Sequence, residues 1–327
     1  MVAFFRIISA FFMAITTLIS FPVAGNISAE FAPTDKENVK LTFAAISDVH
    51  MKDSATRGFM LELGLADMEK ADYPLDALVV AGDITDHAYE EQWQKTANVF
   101  AKYNPAKNIV LAVGNHDTWG SDDDRFEPSA ERFIKYGGQI MNRELDKTYY
   151  STKINGYTFV VMSSEDDGTN AYVTDEQIEW LDATLAEASK DNLPIFLVFH
   201  QPINESHGLP ITWGDDEPEP MDGGIGEQSE KVEAVLQKYE KIIYISGHLH
   251  LGLGDKFTSK LWNYQTVETY GNITSVNLPC YMYFNPMGQI MSGTGVVFEV
   301  YEDQVILRPR SFSSNVWYTA YNYTIEL

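Results

Sequence analysis

With 327 residues, 45% apolar and 21% charged, the chain has the composition of a globular protein able to bury a large core. Its net charge is −24, and with no basic stripe to attract a phosphate backbone the sequence argues against duplex nucleic acid as a partner. The single cysteine, Cys280, excludes an intramolecular disulfide and reads as a buried bystander thiol.

In chain order, Arg6 comes first, followed by an apolar stretch over 7–21 interrupted only by Ser and Thr, then small residues at Ala24 and Gly25. Residues 1–29 read as a secretory signal peptide, cut after Gly25 or Ala29, which implies a secreted or extracytoplasmic protein. The run is nearly long enough to span a bilayer, so an uncleaved N-terminal anchor is the alternative and the only route to a membrane. Over 40–327 strand-like and helix-like periods alternate without a polar linker, the pattern of one layered α/β domain.

Five short, largely apolar runs at 41–46, 77–80, 108–113, 195–199 and 242–245 predict strands buried on both faces. They close in turn on Asp48-Val49-His50, Gly82-Asp83-Ile84-Thr85-Asp86, Gly114-Asn115-His116-Asp117, His200 and Gly247-His248-Leu249-His250. Ligands of such sheets gather beyond the carboxyl ends of the strands, where these residues fall. Five of the seven histidines belong to these motifs, a clustering that bland readings of single residues do not explain.

Between the runs, helices are expected at 57–70, 89–103, 129–136, 175–189 and 227–239. Thr174 caps the fourth, with Gln177 completing a capping box and Ile178, Leu181 and Leu185 forming its apolar stripe. Asp86 reads as the N-cap of the second, and His87 as a surface histidine. The segment 201–226 is rich in Gly, Pro and acids. It leaves the sheet directly at His200, so it is expected to form one wall of the cleft and to alter selectivity, not metal content, when shortened. His207 within it reads as a surface residue or a substrate contact, and Trp119 and Trp213 as packing residues. The segment 256–291 borders the same crevice. A hairpin at 295–301 and 304–309 and an edge strand over 316–327 end the chain.

Carboxylate oxygen combined with imidazole nitrogen suits a borderline divalent or ferric ion better than calcium. Asp48 and His50, like His248 and His250, are two apart and can converge on one ion just beyond a strand end. Asp83 has two oxygens with which to bridge two cations, and Asn115 offers a neutral carbonyl.

Asp-x-His, Gly-Asp-x-x-Asp, Gly-Asn-His-Asp, a lone His and Gly-His-x-His, in this order over roughly residues 40–300, resemble the calcineurin-like metallophosphoesterase superfamily. The resemblance implies an α/β four-layer sandwich, two mixed β-sheets face to face with helices outside. It implies a dinuclear centre of Mn, Fe or Zn in which Asp48, His50 and His250 hold one ion, Asn115, His200 and His248 the other, and Asp83 bridges them. A bridging hydroxide would attack phosphorus in line, His116 would assist the leaving group, and Asp117 would orient its ring. The partner is then a small phosphoester, with no obligate protein partner.

Asp86 stands where purple acid phosphatases carry a tyrosine ligand, and Asp86-His87-Ala88 does not match the Asp-Arg-Gly of serine/threonine protein phosphatases. Together with Val276-Asn277-Leu278-Pro279, this points to the cyclic-nucleotide phosphodiesterase-like branch and to diester hydrolysis. A phosphomonoesterase or nucleotidase on the same site is the alternative, and a non-catalytic metal-binding scaffold the remote one.

Overall fold

The computed structural model describes residues 30–119, 126–166, 168–213, 219–254, 256–282 and 293–327; the expected signal segment lies outside them. β1 (Leu41–Ile46), α1 (Ala55–Glu69), β2 (Ala77–Ala81), α2 (Glu90–Phe100) and β3 (Asn108–Ala112) form a parallel βαβαβ unit. α3 (Phe126–Arg132) runs through a π-turn into α4 (Gly138–Met141). Then come β4 (Tyr150–Ile154), β5 (Tyr157–Val161), α5 (Asp175–Ala188), β6 (Ile195–Val198), α6 (Ser229–Leu236), β7 (Ile242–Ser246) and α7 (Lys256–Trp262). β8 (Val267–Tyr270), β9 (Ile273–Asn277), β10 (Thr294–Val300), β11 (Gln304–Ser311), β12 (Val316–Trp317) and β13 (Tyr323–Glu326) complete the chain.

The strands make two mixed sheets, as expected. One has the order β12-β11-β10-β1-β2-β3, with β13 also paired to β11; the other has the order β4-β5-β6-β7-β9-β8. Side chains alternate across a strand, and both faces here are covered, which is why the runs read as continuously apolar. Leu41, Phe43 and Ala45 of β1 join Phe159, Phe196 and Phe298 in the layer between the sheets, while Ala44 and Ile46 face Leu61, Leu65 and Trp93 of α1 and α2. Phe43 stacks on Phe298 at 4.5 Å and meets Phe196 edge-on at 4.9 Å. On the far side Leu197 and Tyr244 pack under Ile178, Leu181 and Leu185 of α5 and Val232 of α6.

Four features depart from the expected elements. The hairpins β4–β5 and β8–β9 were not among the expected strands, and the expected edge strand over 316–327 is split into β12 and β13 by a 3-10 turn at Thr319–Tyr321. Thr174 does cap α5, accepting from the Gln177 N–H, but the box is closed by Glu165, which accepts from the Thr174 N–H at 3.0 Å. Gln177 turns inward instead and donates to the Ser163 carbonyl at 2.9 Å. Phe31 is buried edge-on against Trp317 at 5.3 Å, so residues 31–39 also belong to the folded unit.

Candidate metal centre

The loops after β1, β2 and β3 of one sheet and after β6 and β7 of the other meet at one edge of the sandwich. Main-chain bonds tie them together: the His50 N–H donates to the Asp83 carbonyl at 2.8 Å, and the Gly247 N–H to the His200 carbonyl at 2.9 Å. Asp48, His50, Asp83, His248 and His250 all hold positive φ, between 46° and 74°. A left-handed conformation costs a side-chain-bearing residue about 1–2 kcal/mol, so five together mark a site at which the fold tolerates strain. The motif glycines allow the approach. A Cβ on Gly82, whose own φ is +91°, would lie 2.5 Å from the His200 ring, and one on Gly114 would lie 2.2 Å from Asp83 Oδ1.

Three groups of donor atoms result among the described residues: two share the Asp83 carboxylate, and the third, His50, Asp86 and His116, lies beside them. Asp48, His50, Asp83 and His250 form the first, and Asp83, His200 and His248 the second. In the first, His250 Nε2 lies 2.9 Å from His50 Nε2 and 3.2 Å from Asp48 Oδ1. In the second, His200 Nε2 lies 3.2 Å from Asp83 Oδ1 and 3.3 Å from His248 Nδ1. Bonds of about 2.1 Å to a common ion set ligand atoms roughly 3.0–3.4 Å apart, so both clusters fit a transition metal. Asp83 Oδ2 and Asn115 Oδ1 are buried with no hydrogen-bond partner among the described residues, as lone pairs awaiting a cation would be. His200 Nδ1 donates to the Ala81 carbonyl at 2.7 Å, which fixes its tautomer and turns the Nε2 lone pair inward.

Burial raises the Asp48 carboxyl, but the bond and charge of His250 and the charge of His200 bring it down to about 2. For His200, burial acts downward and is outweighed by the Asp83 carboxylate, which lifts it to about 9. His248, buried beside His200, falls well below the usual imidazole range. So the centre is an uneven field of ionised carboxylates and imidazoles, which cations would level.

The sequence matches the calcineurin-like phosphoesterase family over residues 41–252. The chain belongs to that family. It is a phosphoric ester hydrolase, built on the dinuclear-centre architecture the family uses. No curated protein matches it. Among solved structures, a dimetal phosphatase from Danio rerio aligns at 14% identity with a TM-score of 0.58, over 88% of this chain and 99% of the other. A purple acid phosphatase from yellow lupin, Lupinus luteus, aligns at 16% with a TM-score of 0.56, over 88% of this chain and 53% of the other. The chain thus spans about half the length of the lupin protein, and at these identities the likeness speaks for the fold.

Several residues of this phosphoesterase sit differently from expectation. Asp117 does not orient the His116 ring: its carboxylate accepts from the Ile84, Thr85 and Gly114 amides and the Thr85 hydroxyl at 2.7–3.0 Å, bracing the loops that carry Asp83 and Asn115. The ring is held by Asp86 instead, since His116 Nδ1 donates to the Asp86 carbonyl at 2.8 Å. Nor is Asp86 a helix cap, because Tyr89 occupies that position for α2. Its carboxylate receives Lys52 at 2.6 Å and Arg57 at 3.2 Å and faces His50 Nδ1 at 3.5 Å. His207 is buried, with Nδ1 donating to the Gln265 carbonyl at 2.7 Å and Nε2 facing Ser275 Oγ at 2.8 Å, so it anchors its loop and is neither exposed nor a substrate contact. Trp119 leans on His116 at 4.2 Å, and Trp213 stacks on His248 at 4.6 Å. No local pattern announces the roles of Asp86 and Trp213; both arise from contacts between distant segments.

Proposed function

We propose that this phosphoesterase hydrolyses phosphodiesters and belongs to the cyclic-nucleotide phosphodiesterase-like branch. The observation that carries the reading is the lining of the cleft over the two clusters. It measures about 220 Å³ and is lined by Asp83, Asn115, His116, Trp213, His248, Leu249 and His250, with no Arg or Lys among the described residues. A dianionic monoester needs more positive charge than a monoanionic diester, and beyond the ions and the His116 ring this lining has no cationic side chain among the described residues. The second ester group of a diester has Trp213 and Leu249 to pack against. The engagement of Asp86 with Lys52 and Arg57 also supports the branch, because it occupies the position at which a purple acid phosphatase has a metal ligand.

Asp48, His50 and His250 would hold one ion and Asn115, His200 and His248 the other, with Asp83 shared. When bound, two such ions polarise a phosphoryl oxygen and lower the pKa of water by several units. The protein's own part centres on His116. The Asp86 carbonyl can only accept, so Nδ1 carries the proton and Nε2 is the atom available to exchange one with the departing oxygen. Asp117 keeps Gly114 and Ile84 in place, and with them their neighbours Asn115 and Asp83. We also propose export, supported by Arg6 and the apolar stretch after it.

Metal-stripped protein given Mn²⁺ tests the reading by turnover of bis(p-nitrophenyl) phosphate against p-nitrophenyl phosphate. Higher kcat/KM on the diester is expected; preference for the monoester would transfer the assignment to a phosphomonoesterase.

A further inference from the structure

Each imidazole at the centre needs something behind it to hold its orientation. His200 and His116 donate from Nδ1 to main-chain carbonyls, and His50 Nδ1 faces the Asp86 carboxylate. His248 is built differently. Nδ1 is the atom in the second donor cluster, and Nε2 is buried with no hydrogen-bond partner among the described residues. What lies against the ring is the indole of Trp213, 4.6 Å away and inclined by only 23°.

The indole is itself clamped. A Cβ on Gly223 would lie 2.7 Å from the six-membered ring of Trp213, so the Gly223 backbone covers the indole closely. Gly223 has φ +77° and donates its N–H to Asn170 Oδ1 at 2.9 Å. Upstream, the Thr212 hydroxyl donates to the carbonyl of the buried His207. The loop that enters after β6 therefore presses an aromatic plane onto a donor ring whose far nitrogen has no polar anchor among the described residues. Ligation withdraws electron density from an imidazole, and a stacked indole face favours the electron-poor ring.

We propose that Trp213 is a positioning residue for His248, setting the affinity of the cluster formed by Asp83, Asn115, His200 and His248 while leaving the cluster of Asp48, His50 and His250 unaffected. This rests on the dinuclear reading. It also reverses the expectation that the 201–226 loop acts on selectivity alone: that loop reaches a metal ligand directly.

Mn²⁺ titration of metal-stripped full-length protein, followed by calorimetry and by tryptophan emission, provides the test with the variants Trp213→Leu and Trp213→Phe. Leucine keeps apolar volume beside Leu209 and Leu249 but removes the π-face; phenylalanine restores it. Wild type should bind two ions. The leucine variant should bind one as tightly as wild type and the other about 10–100-fold more weakly, with Trp213→Phe recovering most of the loss. Emission should change in wild type as the cluster containing His248 fills, and that phase should be absent in both variants. Equal weakening of both ions, or none, in a leucine variant with wild-type circular dichroism would overturn the role of Trp213. A wild type that binds fewer than two ions would overturn the dinuclear reading and this inference with it.

Discussion

The main-chain carbonyl of Asp86 lies 2.8 Å from Nδ1 of His116, while the carboxylate of the same residue faces Nδ1 of His50 at 3.5 Å. One residue thus orients His116 through its backbone and His50, a histidine of the first donor cluster, through its side chain. Burial acts to raise that carboxyl, and His50 and Lys52 outweigh it and bring it well below the usual carboxylate range.

This division of labour makes the two roles separable. Asp86→Asn removes the charge but keeps the carbonyl. Mn²⁺ affinity of the cluster containing His50 should fall about 10–100-fold, while kcat at saturating Mn²⁺ stays within tenfold of wild type. A collapse of kcat at saturating metal with both affinities intact would contradict the assignment.

For His116 the expected signature is dependence on the leaving group. His116→Ala should cost about 10²–10⁴ in kcat for diesters with alkoxide-like leaving groups, and much less for p-nitrophenolate, which departs without help. The check is the slope of log kcat against leaving-group pKa in wild type and variant. Parallel slopes would mean that His116 binds substrate and does not transfer the proton.

Asp117 should be read out in stability instead. It is fully buried and accepts four bonds, three of them from main-chain amides. Asp117→Ala would strand those donors, at about 2–4 kcal/mol, and the midpoint of urea unfolding of the metal-free protein should fall accordingly. An unchanged midpoint would show that solvent replaces the carboxylate easily.

The contrast between Asp117 and the metal donors shows what the sequence makes legible. Strands buried on both faces have to be apolar throughout, and donors just beyond their ends are confined to one edge of the sheet, so Leu41–Ile46 with Asp48 and His50 can be read without a structure. The orientation of Asp117 is decided by amides of another loop 32 and 33 residues away, and that of Asp86 by Lys52, Arg57 and His50. Nothing in local spacing encodes those encounters. His207 misled in the same way, because a histidine in a loop rich in Gly, Pro and acids looks solvated until β8 and β9 are folded against it.

That buried histidine yields a pH prediction distinct from the metal centre. Burial lowers His207 below its ordinary value of 6.5, outweighing the Glu268 carboxylate, which accepts its main-chain N–H at 2.8 Å. The unfolded chain takes up a proton near pH 6.5 that the folded chain refuses. The contribution of His207 to stability is therefore complete above pH 6.5 and is lost as the pH falls below it, by at most about 1.4 kcal/mol per pH unit for one proton. Urea unfolding of the metal-free protein at pH 7.5 and 5.5, for wild type and His207→Gln, isolates this term, since the other histidines are common to both. The wild type should lose more stability on acidification than the variant; equal losses would mean that His207 is protonated within the fold.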